Sequence, residues 1–308
     1  MNNPVAASGQ ADKAERSGPA GAVPPAPVAG GFPPTRNLLI SLVPVLAILV
    51  MFLFWYSTWF GRRLGESEMA EGLEDTSQPH LTQHALSQLD AQIARHEPAS
   101  KRWYPDLMKL ASTSEPQLRS MTAWVMGEDN QSPEFHQALL KLVADPVDVV
   151  RWNAALALAR FGDSTGDAQL RAMLRPYRAL APQGGVVTFR SKDEDALNAG
   201  DLVARIKGTD GAVEVRSPLS GKLERQVVHD GADVRAGDEI AELAPGDRQV
   251  WEALRALYLV GRADDLEDVD RLARGVAGMP DAVRQQAILT AQAIRKRVSV
   301  LSNDPMAR

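Results

Sequence analysis

Pro182-Gln-Gly-Gly185 leads into Gly200-Asp-Leu-Val-Ala-Arg-Ile206, and Pro218-Leu-Ser-Gly221 leads into Gly237-Asp-Glu-Ile-Ala-Glu-Leu243. The prolines and the first glycines repeat at a spacing of 36 residues, and the Gly-Asp pairs at 37. A duplication of this length marks two copies of one supersecondary unit. Apolar residues within it fall in short runs, such as Val186-Val-Thr-Phe189 and Val213-Glu-Val215, separated by Gly, Asp and Pro. Such a pattern predicts short strands joined by tight turns, with glycines where positive φ is easiest.

Outside the duplication the period changes. Gln117-Leu-Arg-Ser-Met-Thr-Ala-Trp-Val-Met-Gly127 aligns with Val149-Val-Arg-Trp-Asn-Ala-Ala-Leu-Ala-Leu-Ala-Arg-Phe-Gly162, with Arg119 and Arg151 in step. Each block carries an apolar helical stripe and ends in glycine, a helix stop. Phe135 to Val143 reads as a helix between them, and Asp145-Pro146 as the start of the next, proline being favoured in a first helical turn. Leu81, Ala85, Leu89 and Ile93 predict a further amphipathic helix upstream. Trp251 to Gly261 and Pro280 to Ala287 repeat the pattern after the duplication, so helical repeats flank a β insertion on both sides.

The repeats resemble HEAT-type (PBS-lyase-like) helical repeats, most specifically in Asp145-Pro-Val-Asp-Val-Val-Arg-Trp-Asn-Ala-Ala-Leu-Ala-Leu158. In such arrays neighbouring repeats stack around one continuous core. Arg119, Arg151 and Arg284 recur at one repeat position. They are expected to form a structural ladder to neighbouring acids such as Asp148 and Asp281, or to helix C-terminal carbonyls, rather than a binding row.

The duplicated stretch resembles the biotinyl/lipoyl domain, a flattened barrel of two similar halves. Val215-Arg-Ser-Pro-Leu-Ser-Gly-Lys-Leu223 and Gly231-Ala-Asp-Val-Arg-Ala-Gly-Asp-Glu-Ile240 carry the likeness. Carrier members of that family hold lipoate or biotin on a lysine at the hairpin joining the halves. Counting back from Ser217-Pro218, that position falls on Asp210, whose carboxylate cannot form the amide. Lys207 lies three residues earlier and is expected in or near the strand, where the register directs it away from the tip. No cofactor is therefore expected.

Asn37 to Phe60 contains no charged residue. As a helix it would reach roughly 35 Å, enough for a bilayer core of about 30 Å. Trp55, Tyr56 and Trp59 would mark an interface. Arg62 and Arg63 against Arg36 favour a cytoplasmic C-terminal part, whereas an uncleaved N-terminal anchor more often leaves its soluble region outside. The second consideration favours a periplasmic soluble region on a bacterial inner membrane.

The expected organisation is thus multi-domain. A disordered Pro/Ala/Gly-rich tail (1–36) precedes a single N-terminal transmembrane helix (37–60) and an acidic juxtamembrane spacer (61–80). HEAT-like repeats (81–180) and a lipoyl-like all-β barrel-sandwich hybrid (181–246) follow, then further repeats (247–300) and a flexible tail (301–308).

The chemistry-bearing residues point away from catalysis. Cysteine is absent, which excludes thiolate sites and disulfides. A net charge of -5 gives no basic face for nucleic acid. His80 and His84 lie four apart without a third ligand nearby, so no metal site is expected. Asp264-Asp265 reads as loop or helix-start residues rather than a general acid and base. No Gly-rich phosphate loop with its lysine is present, and no nucleophile elbow is expected. The expected function is a non-enzymatic membrane-anchored scaffold or accessory subunit that binds protein partners in a membrane complex. A transport-associated adaptor resembling membrane fusion proteins is the alternative, and a lipoyl or biotinyl carrier subunit the second.

Overall fold

The structure is a computed structural model that describes residues 44–53, 63–209 and 211–302, with side chains described to residue 300. The chain divides into two units, Met1–Arg62 and Arg63–Arg308. In the first, residues 44–53 form helix α1, whose apolar side chains, Val45 to Leu53, are all exposed. No helix among the described residues is long and apolar enough to cross a membrane. Of the expected span, residues 37–43 and 54–60 lie outside the described residues, as do 1–36 and 303–308.

In the second unit the helices come first: α2 (Glu66–Glu74), α3 (Pro79–Ala94), α4 (Tyr104–Leu110), α5 (Pro116–Met126), α6 (Pro133–Leu142), α7 (Asp148–Arg160) and α8 (Asp167–Met173). Eight strands follow: β1 (Tyr177–Leu180), β2 (Gly185–Phe189), β3 (Ala196–Leu197), β4 (Leu202–Gly208), β5 (Gly211–Arg216), β6 (Gly221–Gln226), β7 (Asp233–Val234) and β8 (Glu239–Pro245). Helices α9 (Asp247–Val260), α10 (Leu266–Ala273) and α11 (Asp281–Ser302) complete it.

Local chemistry accounts for the helix starts. Pro116 and Pro133 occupy first-turn positions, and the Ser132 hydroxyl accepts from the backbone N–H of Phe135 at 3.3 Å. The expected start at Asp145-Pro146 lies two residues too early, since α7 begins at Asp148. Asp145 instead accepts from the Val147 N–H (2.9 Å) and shapes the turn before the helix. Helix α7 is buried nearly all round because α5, α6, α8 and α9 pack on it. One core, formed by α2 to α7, includes Ala154 and Leu158; the other, shared with the strands and α9 to α11, includes Ala155 and Ala159.

The segment expected to be an acidic spacer, 61–80, differs from that reading. Its residues 66–74 form α2, which buries Met69 and Leu73 against α3 and α4. Two well-placed apolar residues suffice, each fully buried side chain contributing about 1.5–3 kcal/mol. The expected tail at 301–308 is helical as far as Ser302.

The strands form two four-stranded antiparallel sheets, ordered β1-β8-β6-β3 and β5-β4-β2-β7. Exchanging β1 with β5, β2 with β6, β3 with β7 and β4 with β8 converts one order into the other. The sequence duplication is therefore a structural pseudo-symmetry, and it extends to hydrogen bonds. Gly200 N–H donates to Ser217 O (2.7 Å) and Ser217 N–H to Asp201 O (2.8 Å). In the other half Gly237 N–H donates to Ala181 O and Ala181 N–H to Asp238 O, both at 2.8 Å. Val203, Ala204 and Ile206 are matched by Ile240, Ala241 and Leu243, all fully buried. The symmetry requires β1, so the β region begins at Tyr177, before the expected boundary at 181.

Candidate functional site

The helical array closes across the β insertion. Helix α9 packs against α7 and α8, and polar contacts stitch the seam. Arg175 reaches Asp268 at 2.7 Å, with Asp268 almost fully buried. Arg271 donates to the Leu174 carbonyl (2.7 Å) and Gln249 to the Met173 carbonyl (3.2 Å), satisfying acceptors at the end of α8. Arg262 reaches Ser164.

Beside this seam lies a cleft of about 840 Å³, formed by α5, α7 and α8, by the β-region turns at 199 and 218–221, and by the α10–α11 connection. Trp124, Trp152, Leu219 and Met279 supply apolar surface. Trp152 meets Tyr177 edge-on at 6.1 Å, and the Arg160 guanidinium lies 4.5 Å over the Trp124 ring. Arg248 and Glu252 also line the cleft, and neither forms an ion pair with a described residue. Gly221 sets the wall of the turn. A Cβ there would run into the Ala244 carbonyl of β8, as one at Gly185 would run into the Lys207 carbonyl of β4. These close approaches hold the Pro218–Gly221 turn against the β8–α9 junction, where Gly246 N–H donates to Ser220 O at 2.9 Å.

Chemically, the cleft is equipped for contact. The hydroxyl of its lining residue Ser220 accepts from the Ala199 N–H at 3.2 Å. Tyr177 donates to Asp148 at 3.0 Å, and burial raises its pKa. That keeps it a neutral donor to Asp148.

The arginine row is a structural ladder. Arg119 pairs with Asp145 in a bidentate contact (2.7 and 3.0 Å) and also donates to the Thr113 and Ser114 carbonyls. Arg151 pairs with Asp148 and donates to the Asp145 carbonyl at 2.7 Å. Arg284 pairs with Asp281 at 2.7 Å. The acid for Arg119 is thus Asp145 of the next repeat, so the ladder links adjacent repeats as well as turns of one helix.

Lys207 lies within β4, exposed and paired with Val186 and Ala212 across the sheet. Gly208 pairs with Gly211, leaving two connecting positions, of which Asp210 lies outside the described residues. His80 and His84 are both exposed on α3, and no described group of three His, Cys, Asp or Glu could hold a metal.

The acidic pair that matters is one the sequence conceals. Asp265 is fully buried and accepts from the Arg262 N–H at 2.6 Å. Its partner is Asp167 at the start of α8, not its neighbour Asp264, which is exposed. Burial, then a hydrogen bond and like charge from Asp265, push the Asp167 carboxyl up to about 6. One oxygen of each acid has no hydrogen-bond partner when both are counted as acceptors. A proton on Asp167 donated to Asp265 satisfies that need. Arg171 stands 3.5 Å from Asp265 and limits the repulsion.

A family model described as HEAT repeats matches residues 104–179, from α4 into β1. Residues 104–179 are accordingly HEAT-type repeats, and such repeats generally serve as protein-interaction scaffolds. No curated protein matches the chain.

Proposed function

We propose that this chain is a non-enzymatic, membrane-anchored scaffold whose HEAT-type array and lipoyl-like β module together hold a protein partner in a membrane complex. The observation that carries the reading is the seam cleft. It joins a tryptophan-rich apolar floor to Arg248 and Glu252, which form no ion pair with a described residue, and three parts of the fold contribute to it. Apolar cores with a few placed charges suit recognition. The lipoyl-like reading of the β region rests on its pseudo-symmetric sheets. Lys207 within a strand and Asp210 at the expected carrier position speak for docking rather than cofactor carriage. Anchoring rests on the charge-free stretch 37–60, with the soluble region on the periplasmic side of a bacterial inner membrane.

The test is affinity purification of the full chain, solubilised in mild detergent from its native membranes. A stoichiometric partner should co-purify, and Arg248→Glu should release it several-fold while leaving the fold intact, because Arg248 is exposed. Recovery of the wild-type chain as a lone monomer overturns the scaffold reading. A lipoyl or biotinyl mass increment on Lys207 would instead reinstate a carrier.

A further inference from the structure

The two ends of the helical array differ in kind. Helix α2 turns Glu66, Ser67, Glu71 and Glu74 outward, which is the polar outer face a terminal repeat needs. At the other end α9 and α11 leave Tyr258, Leu259, Leu289 and Val300 exposed, at 45%, 52%, 51% and 61%. On α11 the exposed positions 285, 289, 292, 296 and 300 recur at helical spacing, so they form one stripe. Tyr258, Leu289, Ala293 and Val300 line a groove of about 570 Å³ along it.

The charge of this groove is one-sided. Arg297 donates to the carbonyls of Leu257 (3.0 Å), Tyr258 (2.7 Å) and Gly261 (3.0 Å), capping α9 without pairing with a described acid. Lys296 forms no ion pair with a described residue. In the adjoining hollow Arg255 lies 4.7 Å over Trp251 and forms no ion pair with a described residue, Arg160 pairs with Glu128, and Glu252 is the sole acid among the described lining residues.

A second copy of the chain fits this surface poorly. Symmetric pairing would bring Lys296 and Arg297 against their own counterparts, and helix α2 exposes no large apolar side chain to fill the groove. A flat bilayer would leave a concave groove unfilled. A convex helix with apolar residues at intervals of three and four would fill it, and acidic flanks would answer the cations. We infer that the α9–α11 groove docks an acidic amphipathic helix of a partner protein, which supplies the missing last layer of the array. The inference rests on the scaffold reading above, since it too takes the partner to be protein.

The experiment uses the full chain in nanodiscs of neutral lipid. It is titrated with two fluorescent helical peptides of about 18 residues, long enough to sustain a helix. Both carry the same leucine stripe, one with glutamate flanks and one with lysine flanks. The glutamate peptide should bind at least about tenfold more tightly. Leu289→Asp should abolish that binding, and Lys296→Glu should reverse the preference. Equal binding of both peptides, or unchanged binding by Leu289→Asp, overturns the inference. So does a wild-type dimer that Leu289→Asp makes monomeric, which would assign the groove to a second copy. Amide protection of 289–300 that appears only with anionic lipid would assign it to the membrane and overturn it as well. Arg248→Glu should leave peptide binding unchanged. If the peptides fail while partner release by Arg248→Glu persists, this inference falls alone and the scaffold reading stands.

Discussion

Replacing Asp167 with Asn should stabilise the protein at neutral pH. Folding raises the Asp167 pKa from 3.8 to about 6, so between those values the native state binds more protons than the unfolded chain. Stability contributed at this site therefore falls as pH rises from about 4 to about 6, and the full cost remains above that. At about 1.4 kcal/mol per tenfold change, the cost at pH 7 is about 3 kcal/mol. An amide at position 167 keeps the donor to Asp265 at every pH and removes the charge. It also forfeits a carboxylate in the first turn of α8, worth about 0.3–1 kcal/mol. The net expectation is a gain of about 2 kcal/mol at pH 7, or roughly 4–8 °C in Tm for a unit of this size. Below about pH 4 wild type and variant should converge. Thermal unfolding of the full chain in detergent from pH 3.5 to 8 reads the difference curve, and amide exchange in α8 and α10 localises it. Parallel curves for the two proteins would refute the shared proton. A variant less stable than wild type at pH 7 would refute the sign of the effect.

Two further pairs of outcomes probe the architecture, one pair in each part. Arg119→Ala should cost about 3 kcal/mol, because it strands Asp145 where both side chains are nearly buried. Arg284→Ala, at the same repeat position but paired with an exposed Asp281, should leave chemical denaturation unchanged. In the β region, Gly221→Ala and Gly185→Ala should each prevent the sheets from closing, since the new Cβ meets backbone. Gly200→Ala faces open space and should cost only about 1–2 kcal/mol for its φ of +92°. Amide exchange of β4 and β8 distinguishes these outcomes.

The ladder shows how far local reading reaches. Repeat spacing identified Arg119, Arg151 and Arg284 as equivalent, because helical repeats copy their interface residues. It could not tell that Asp145 serves Arg119, since that acid belongs to the following turn and its orientation depends on the bend before α7. Helix α2 escaped for a related reason. Its acidic outer face dominates the composition, and only packing against α3 and α4 gives Met69 and Leu73 somewhere to go. The candidate site was less legible still. Its cleft gathers residues from 124 to 280, and no sequence window contains more than one wall.

What the sequence determined by itself was periodic. Duplicated Gly, Pro and Asp at fixed spacing impose the turns, and alternating or helical apolar patterns impose the elements. From these follow the two matched sheets, the glycine pairs and the helical blocks on either side. The tertiary structure alone decided what lies between distant segments. It closed the array across the β insertion, brought Asp167 and Asp265 together, made β1 the counterpart of β5, and left apolar side chains of α9 and α11 exposed at one end of the array. Local propensity acts over a few residues, whereas desolvation and shared protons act wherever packing places the groups.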